Sequence, residues 1–196
     1  MKVIGITGGV GAGKSEVLCM IGQMCRCRII YSDDVGNRVK EPGEACYEAV
    51  TELLGVEVLK EDGTIDRRKM ADKIFSDQEL LRKVNAIIHP AVKTYILNEI
   101  EEERRKGLVD YFFVEAALLI EEGYDKICDE LWYIHADDEI RRVRLKVSRG
   151  YSDEKIKQIM SHQRCREEFE KYCGRTIDNS GDRACTRTQI DSCLKV

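Results

Sequence analysis

The stretch that most constrains this chain lies close to its N-terminus and reads Gly8-Gly9-Val10-Gly11-Ala12-Gly13-Lys14-Ser15. It fits the pattern G-x-x-x-x-G-K-[ST] at every fixed position. The apolar run Lys2–Thr7 before it predicts a buried strand, and Val17, Leu18 and Ile21 after it have the spacing of one helix face. A loop of this kind requires a strand that leads into it and a helix that begins at its end. The sequence therefore predicts a phosphate-binding loop.

The residue types in this loop suit a triphosphate anion. Glycines let the backbone fold around an anion without an obstructing Cβ, and successive N–H groups then point at the phosphates from a helix N-terminus. Lys14 is expected to bring positive charge to the β- and γ-phosphates, and the Ser15 hydroxyl is expected to ligate Mg²⁺. The predicted nucleotide-binding residues are Gly8, Gly9, Val10, Gly11, Ala12, Gly13, Lys14, Ser15 and Glu16. ATP and Mg²⁺ are thus the predicted cofactors, whereas a glycine-rich turn that binds nothing would not need the complete motif.

Strand and helix patterns alternate along much of the chain. A helix is predicted at Gly13–Met24, and further strands are predicted at Arg28–Tyr31, Tyr111–Val114, Glu130–Ile134 and Thr176–Ile177. Such alternation is typical of a parallel sheet covered by helices. We expect an α/β fold with a parallel-sheet core of the P-loop NTPase kind, in a single domain that spans residues 1–196.

The middle of the chain has a different pattern. From about residue 47 to 105 the periodicity is mainly helical, with breaks at Glu61–Gly63 and at His89–Pro90. Pro90 is expected to end one helix and to open the next, because proline is favoured in the first turn of a helix and disfavoured in its interior. This region is expected to be a helical substrate-binding insertion. His89 either contacts the acceptor or stabilises the helix junction before Pro90.

Basic residues are concentrated in a later helical region, at about residues 138–172. Its first helix is predicted at Asp138–Arg149, and one further polar helix is predicted at Ser152–Tyr172. The arginines of the first helix, taken singly, are typical of a solvated surface. Together they suit a helical lid that closes over phosphates and brings an arginine to the transferred group.

Composition restricts the class of partner and the compartment. The formal net charge of −4 provides no basic excess for a broad nucleic-acid footprint, and no apolar run is long enough to span a membrane. We therefore expect neither a nucleic-acid nor a membrane partner. The nine cysteines are odd in number, and no targeting segment precedes the first strand. Reduced thiols in the cytoplasm are the expected state.

Two acidic residues follow predicted strands. Asp33 comes directly after the second strand, and in open α/β sheets ligands bind outside the carboxyl ends of the strands. It either orients an acceptor hydroxyl for attack, or, like Asp34, caps the next helix. Glu115 ends an apolar strand and either holds Mg²⁺ through water or is a simple strand-end carboxylate.

A wider set of residues resembles one family over nearly the whole chain up to about residue 182. Its pieces are Gly5–Ser15, Ser32-Asp33, Val39 with Glu41-Pro42-Gly43, Asp62-Gly63 with Asp66-Arg67, Ile74-Phe75, Asn85 with His89-Pro90, Leu118-Leu119 with Glu121, Gln163, and Ile177-Asp178-Asn179. In this order and spacing the sequence resembles the dephospho-coenzyme A kinase family. The resemblance implies a nucleotide-kinase-like core, an acceptor-binding insertion and a lid, and it implies ATP-dependent phosphorylation of the ribose 3′-hydroxyl of dephospho-CoA.

The resemblance also implies roles for single residues. Asp33 corresponds to the catalytic aspartate, Arg144 lies near the lid arginine that approaches the phosphates, and Asn179 belongs to the adenine-binding edge. The chain departs from the family pattern at Tyr31-Ser32, at Asn37 in place of an arginine, at Ala117 in place of a proline, and at Ser148 or Arg149 for the second lid arginine. Because Arg38 stands beside Asn37, we assign substrate binding to Asp33, Arg38 and His89, and catalysis to Asp33, Lys14 and Arg144.

Two other functions remain open on the sequence. One is a P-loop kinase of another small hydroxyl or nucleotide acceptor, which the Asp-Gly…His-Pro insertion disfavours. The other is a regulatory nucleotide-binding switch, which usually needs long effector loops and a water-orienting residue. The sequence leaves the oligomeric state open, with a monomer favoured.

Overall fold

The computed structural model describes residues 1–195, which group into two compact units. One unit comprises Met1–Ile29 and the chain from Glu103 onward, and the other comprises Ile30–Glu102. The first unit contains most of the sheet, and the second consists mainly of helices. Each unit therefore has its own architecture.

The sheet has five strands in the order β2-β3-β1-β4-β5. They are β1 (Lys2–Thr7), β2 (Cys27–Tyr31), β3 (Tyr111–Glu115), β4 (Glu130–His135) and β5 (Arg175–Asp178). β1 pairs in parallel with β3 and with β4, and β4 pairs in parallel with β5. β1 is buried along nearly its whole length, as expected of a central strand covered on both faces. The predicted parallel α/β sheet is confirmed.

The helices of the described chain follow the strands in the predicted alternation. They are α1 (Lys14–Met24), α2 (Ser32–Arg38), α3 (Tyr47–Leu54), α4 (Arg67–Phe75), α5 (Gln78–Lys106), α6 (Asp138–Arg149), α7 (Asp153–Ser161), α8 (Arg166–Tyr172) and α9 (Arg183–Leu194), with 3₁₀ turns at Val56–Val58 and Tyr124–Lys126. Among the described residues, no helix is both long and apolar enough to cross a bilayer.

Large aromatic side chains fill the core around β4. Trp132 and Phe113 are fully buried and meet edge to face, with ring centroids 5.6 Å apart. One residue along the strand, Tyr133 stacks on Phe169 of α8, with centroids 4.6 Å apart and planes 10° apart. Aromatic pairs of this kind contribute beyond the area that they bury. The stack fastens α8 to the sheet.

The second unit is built mainly from α2, α3, α4 and most of α5. The α4 helix begins at a strong cap, because the Asp66 carboxylate accepts hydrogen bonds from the N–H groups of Arg68 and Lys69 at 2.9 and 3.1 Å. The Tyr47 hydroxyl donates to the Gly63 carbonyl at 2.5 Å, which ties α3 to the turn before α4. The predicted Asp-Gly break is therefore a hydrogen-bonded turn within this unit.

The prediction that Pro90 separates two helices is wrong, because α5 runs through it without interruption. A proline removes one N–H donor from a helix interior. Val84 before Pro90 and Val92 and Ile96 after it are all buried, so one apolar face of the helix continues across the proline. Burial of that face outweighs the lost hydrogen bond. There is also no helix junction for His89 to stabilise.

The prediction of one helix over Ser152–Tyr172 is also wrong. The chain forms α7 and α8 with a break at residues 162–165. The Cys165 N–H donates to the Glu168 carboxylate at 3.0 Å, and this local bond starts a new helix. Gln163 consequently lies in a connection between two helices.

All nine cysteines are free thiols. Burial raises the pKa of Cys128 and of Cys173 to about 12, so both thiols remain protonated near neutral pH. Such thiols are poor nucleophiles. No cysteine pair at zinc-site spacing emerges in the described chain, and no group of three or more metal-ligating side chains is found there.

Candidate active site

The phosphate loop, Gly8–Ser15, connects β1 to α1 as predicted. Gly11 and Gly13 have φ values of 83° and 88°, in the left-handed region that favours glycine. At Gly13 a Cβ would also collide with the Asn179 amide nitrogen. The loop therefore requires a glycine at this position both for its backbone conformation and for the close approach of a neighbouring side chain.

Several N–H groups of the loop are available as donors. The Ala12 N–H donates to the Gly9 carbonyl at 3.1 Å, and the Val10 N–H donates to the Gln163 Oε1 at 3.2 Å. Within residues 1–195, the N–H groups of Gly11, Gly13 and Lys14 make no hydrogen bond. These three donors lie where the loop meets the N-terminus of α1, which is the arrangement that binds an anion.

Lys14 is held inside the loop. Its Nζ donates to the Gly8 carbonyl at 2.9 Å and lies 3.5 Å from the Glu115 Oε1 at the end of β3. The side chains of Lys14 and Glu115 are each only 13% exposed. A largely desolvated ammonium group in this position is a strong electrostatic partner for a phosphate. Glu115 is thus more than an isolated strand-end carboxylate, because it pairs with Lys14.

Ser15 and Glu16 form the first turn of α1. Ser15 is exposed at the loop end, where its hydroxyl can face a ligand. Glu16 lies 3.3 Å from the Arg183 guanidinium at the start of α9. This ion pair is largely solvated and contributes little stability.

The second half of the loop is fastened at the Ala12 carbonyl. That oxygen accepts hydrogen bonds from the Asn179 Nδ2 at 2.9 Å and from the Arg144 Nη1 at 3.2 Å. Arg144 also donates to the Asn179 carbonyl at 2.8 Å, and the Thr186 hydroxyl donates to the Asn179 Oδ1 at 3.1 Å. Asn179 is 2% exposed and Thr186 is fully buried. The arrangement joins β5, α6 and α9 to one carbonyl of the loop.

The first half of the loop is held by different side chains. Arg141 of α6 donates through Nε to the Val10 carbonyl at 3.0 Å, and it donates through Nη2 to the Gln163 Oε1. Sequence reasoning assigned no site role to either residue. The spacing of Arg141 and Arg144 was the available signal, because residues three apart lie on one helix face whereas Arg142 points elsewhere. Gln163 is among the residues that carry the family resemblance, but the resemblance implied no role for it, and its partners are far away along the chain.

A cleft of about 580 Å³ opens beside Gly9 in the first unit. Its basic and titratable lining includes His135, Arg141, Arg164 and Arg166. This volume is within the range of ligand pockets. His135 lies 3.3 Å from the Tyr133 hydroxyl and 3.3 Å from the Asp137 carboxylate, so its ring is held on both sides. The lid region, residues 138–172, provides most of the positive charge of the cleft.

The acceptor-side residues predicted from the sequence lie in the second unit. Asp33 is exposed in the first turn of α2, where a negative charge is favourable near the helix N-terminus. The N-cap of α2 is Tyr31, and no side chain caps this helix, so neither Asp33 nor Asp34 acts as its cap. His89 is half-buried within α5.

Arg38 and Lys40 provide positive charge in the same unit. The Arg38 guanidinium lies 3.7 Å from the Glu44 carboxylate and 5.2 Å from the centre of the Tyr95 ring. Burial lowers the pKa of Lys40, and the nearby Arg67 lowers it further. Sequence reasoning did not single out Lys40. Its position is apparent only when α4 brings Arg67 close to it.

A parallel sheet with a complete phosphate loop after its central strand, and with basic side chains held against that loop, defines a nucleotide-binding phosphotransferase of the P-loop class. The family model for dephospho-CoA kinase matches residues 2–184. The chain therefore belongs to the dephospho-CoA kinase family.

Individual relatives agree with this assignment. The dephospho-CoA kinase of Carboxydothermus hydrogenoformans is 34% identical over 196 residues, covering 100% of this chain and 94% of the relative. That of Dehalococcoides mccartyi is 33% identical over 196 residues, covering 100% of this chain and 96% of the relative. The crystal structure of TT1252 from Thermus thermophilus superimposes with a TM-score of 0.83 at 26% identity, covering 99% of this chain and 96% of that one.

Proposed function

We propose that this chain transfers the γ-phosphoryl group of ATP to the ribose 3′-hydroxyl of dephospho-CoA and so produces CoA. The observation that carries the proposal is a complete, pre-formed phosphate loop in a chain that matches the dephospho-CoA kinase family from residue 2 to 184. A P-loop kinase of another small acceptor would share the loop. It would not explain a family match that also extends through the helical unit.

The nucleotide is bound by Gly8 to Glu16. The N–H groups of Gly11, Gly13 and Lys14 point at the phosphates, and the Lys14 ammonium compensates the charge that builds on the transferred group. Asn179 forms the adenine-binding edge. Its buried side chain donates a hydrogen bond to the Ala12 carbonyl, so the residue is held next to the phosphate loop. A fixed Asn179 would give the adenine base a fixed position beside the loop.

The residues at the loop end fit Mg²⁺ by the chemistry of their donors. Mg²⁺ takes hard oxygen ligands and is usually bound by one or two protein groups together with substrate phosphates. The exposed Ser15 hydroxyl would hold the ion directly, and the Glu115 carboxylate beside Lys14 would hold it through water. When bound, the ion supplies positive charge to the β- and γ-phosphates.

The acceptor hydroxyl is oriented by Asp33. A ribose hydroxyl is a weak nucleophile at neutral pH, and a carboxylate that accepts its proton aligns the oxygen for in-line attack. The helical insertion, residues 47–105, binds the rest of the acceptor together with Arg38 and His89. Lys40 and Arg67 add positive charge in this unit, which suits an anionic acceptor.

Residues 138–172 form a lid. Arg141 and Arg144 of α6 contact the loop, and Arg141 also lines the cleft beside Gly9, which supports a role in excluding water and stabilising the transferred charge. Arg144 is the lid arginine that acts in catalysis. The nine free thiols suit a reducing compartment, which supports a cytoplasmic enzyme.

The proposal is tested by incubating the purified protein with Mg-ATP and one acceptor at a time. The panel contains dephospho-CoA, adenosine, AMP and shikimate, and the products are identified by mass. We expect phosphorylation of dephospho-CoA with a kcat/KM far above that of the other acceptors, and a product with the phosphate on the 3′-oxygen. Efficient phosphorylation of another acceptor, with dephospho-CoA unchanged, would refute the proposal.

A further inference from the structure

Gly9 occupies a position that the loop motif leaves open, and a Cβ added there would meet the ends of two side chains. Its φ lies outside the left-handed region, so the backbone alone would accept another residue. A Cβ on Gly9 would however lie 2.5 Å from the Arg141 Nη2, 2.7 Å from the Arg141 Cζ and 2.9 Å from the Gln163 Oε1. Two side chains from the lid region therefore rest directly on the loop backbone.

These two side chains form a closed hydrogen-bonded ring with the next residue of the loop. Arg141 donates to the Val10 carbonyl at 3.0 Å, the Val10 N–H donates to the Gln163 Oε1 at 3.2 Å, and the Arg141 Nη2 donates to the same oxygen. The third guanidinium nitrogen, Arg141 Nη1, donates a hydrogen bond to the Asp138 carboxylate at 3.1 Å. The Arg141 side chain is only 12% exposed. The ring thus uses both peptide groups of Val10 and shields them from water.

We propose that Arg141 and Gln163 are positioning residues that clamp the lid to the first half of the phosphate loop. By the clamp we mean the Arg141 side chain, the Gln163 amide and the Val10 peptide groups. The clamp fixes the Val10 peptide and so sets the loop conformation in which the free N–H groups converge on the phosphates. This inference rests on the proposed function and goes beyond it, because it gives a connection between two helices a role in phosphoryl transfer.

The chemistry of Gln163 explains why an amide suits this position. Its oxygen accepts from the guanidinium and from the Val10 N–H at once, and it brings no negative charge close to the phosphates. A glutamate would accept the same two hydrogen bonds but would repel the nucleotide. Gln163→Glu therefore keeps the two hydrogen bonds and adds a negative charge, whereas Gln163→Ala removes the hydrogen bonds and adds no charge.

The first experiment compares Gln163→Ala and Gln163→Glu with Gln158→Ala. Gln158 is an exposed glutamine of α7 and provides a matched control. We expect Gln163→Ala to lower kcat/KM for ATP by roughly 10- to 100-fold, in the range of a misplaced positioning group, with the KM for dephospho-CoA unchanged. Gln163→Glu should weaken the binding of ATP more than it lowers kcat. Gln158→Ala should behave as the wild type.

The second experiment is a double-mutant cycle between Gly9→Ala and Gln163→Ala. Gly9→Ala would displace both clamp side chains, so its cost should be smaller once Gln163 is gone and Arg141, no longer hydrogen-bonded to it, can move aside. We expect the two effects on kcat/KM to be coupled by about 5- to 50-fold, within the range for contacting residues. Arg141→Ala should show the same coupling with Gly9→Ala, with Arg142→Ala as the exposed control. If Arg141→Ala fails to fold, Arg141→Lys keeps the charge but loses the planar guanidinium that reaches the Val10 carbonyl and the Gln163 oxygen through separate nitrogens.

The outcomes separate the clamp from the proposed function. Additive costs in the cycle, or a Gln163→Ala variant as active as Gln158→Ala, would overturn the clamp. Calorimetric binding of ATP to the same variants tests it without turnover, so a wild-type protein that binds ATP but leaves dephospho-CoA unphosphorylated would refute only the proposed function. A melting temperature for Gln163→Ala within a few degrees of wild type is expected. A loss of activity that merely follows unfolding would also overturn a positioning role.

Discussion

The two compact units hold their candidate functional side chains in opposite ways. In the first unit Lys14, Arg141 and Asn179 are largely buried and already hydrogen-bonded to the loop. In the second unit Asp33 is exposed, and the Arg38 side chain is 60% exposed. One set of residues is fixed by the protein itself, whereas the other faces solvent.

The difference reflects the cost of burying polar groups. A buried donor or acceptor without a partner costs about 1–3 kcal/mol, so residues under the loop must be satisfied before any ligand arrives. Exposed side chains are hydrated and reorient at little cost. We infer that the nucleotide site is organised in advance and that acceptor contacts form with the acceptor. Substitutions in the first unit should therefore alter the affinity and the KM for ATP. Substitutions in the second unit should leave ATP affinity unchanged and lower the rate of transfer to the acceptor.

The largest expected effect is that of Lys14→Ala. We expect kcat to fall by roughly 10³- to 10⁵-fold, the range for a single charged group that stabilises the transferring phosphoryl group. The thermal unfolding midpoint should fall only modestly, because the variant loses the hydrogen bond to Gly8 and the ion pair with Glu115 but none of the apolar core. Steady-state kinetics and a thermal scan on the same preparation measure both quantities. Retention of more than about a tenth of the activity, or ~1.4 kcal/mol of barrier, would show that the loop is not the catalytic nucleotide site.

The next effect concerns the exposed unit. Asp33→Asn keeps the size of the side chain but loses its charge and basicity, and we expect kcat to fall by roughly 10²- to 10⁴-fold. ATP affinity, measured by calorimetry without acceptor, should hardly change. This pattern would sharpen the contrast between the units.

Asp34→Asn is the matched control for that variant, since Asp34 shares the first turn of α2 and is equally exposed. Its effect should be much smaller. If Asp34→Asn lowers kcat more than Asp33→Asn does, the catalytic carboxylate is Asp34 and not Asp33. A large loss of ATP affinity in either variant would break the contrast itself.

A smaller effect is expected from Asn179, which donates a hydrogen bond to the Ala12 carbonyl in the second half of the loop. Asn179→Ala removes a donor to the Ala12 carbonyl and the acceptor of the buried Thr186 hydroxyl. We expect a loss of about 1–3 kcal/mol in the free energy of unfolding, together with weaker ATP binding. Chemical denaturation measures the free energy of unfolding. Asn98→Ala is the control, because Asn98 is exposed. Full stability with lost activity would instead indicate a purely ligand-binding role.

The smallest effect is a local change in hydrogen exchange. Adding a non-hydrolysable ATP analogue should slow the exchange of amides in residues 138–172, because lid closure protects them. Saturation must be shown independently by calorimetry. Exchange that stays unchanged across the whole segment would argue against a lid.

The loop and the strands were predictable because their signals are local. A complete motif between an apolar strand and a helical pattern lies within a short stretch of chain, and its prediction was confirmed. Asn179 and Ala12 are bonded across 167 positions. Contacts of that separation depend on the finished sheet and leave no mark in a local pattern.

The helical predictions failed where tertiary burial or a local cap decided the outcome. Pro90 satisfies the rule for a helix start, yet the buried face of α5 extends past it. The polar pattern of Ser152–Tyr172 gave no sign of the capping bond at Cys165 that divides it. The break frees Gln163 from helical geometry and lets its amide reach Val10.

The stack of Tyr133 on Phe169 divides the region that we propose as a lid into two parts. α8 is held against β4 by that stack, whereas Ile156 is the one buried residue of α7 within the described chain. In the lid closure that we propose, α7 is therefore the part that can shift at little cost in buried area, while α8 stays with the sheet.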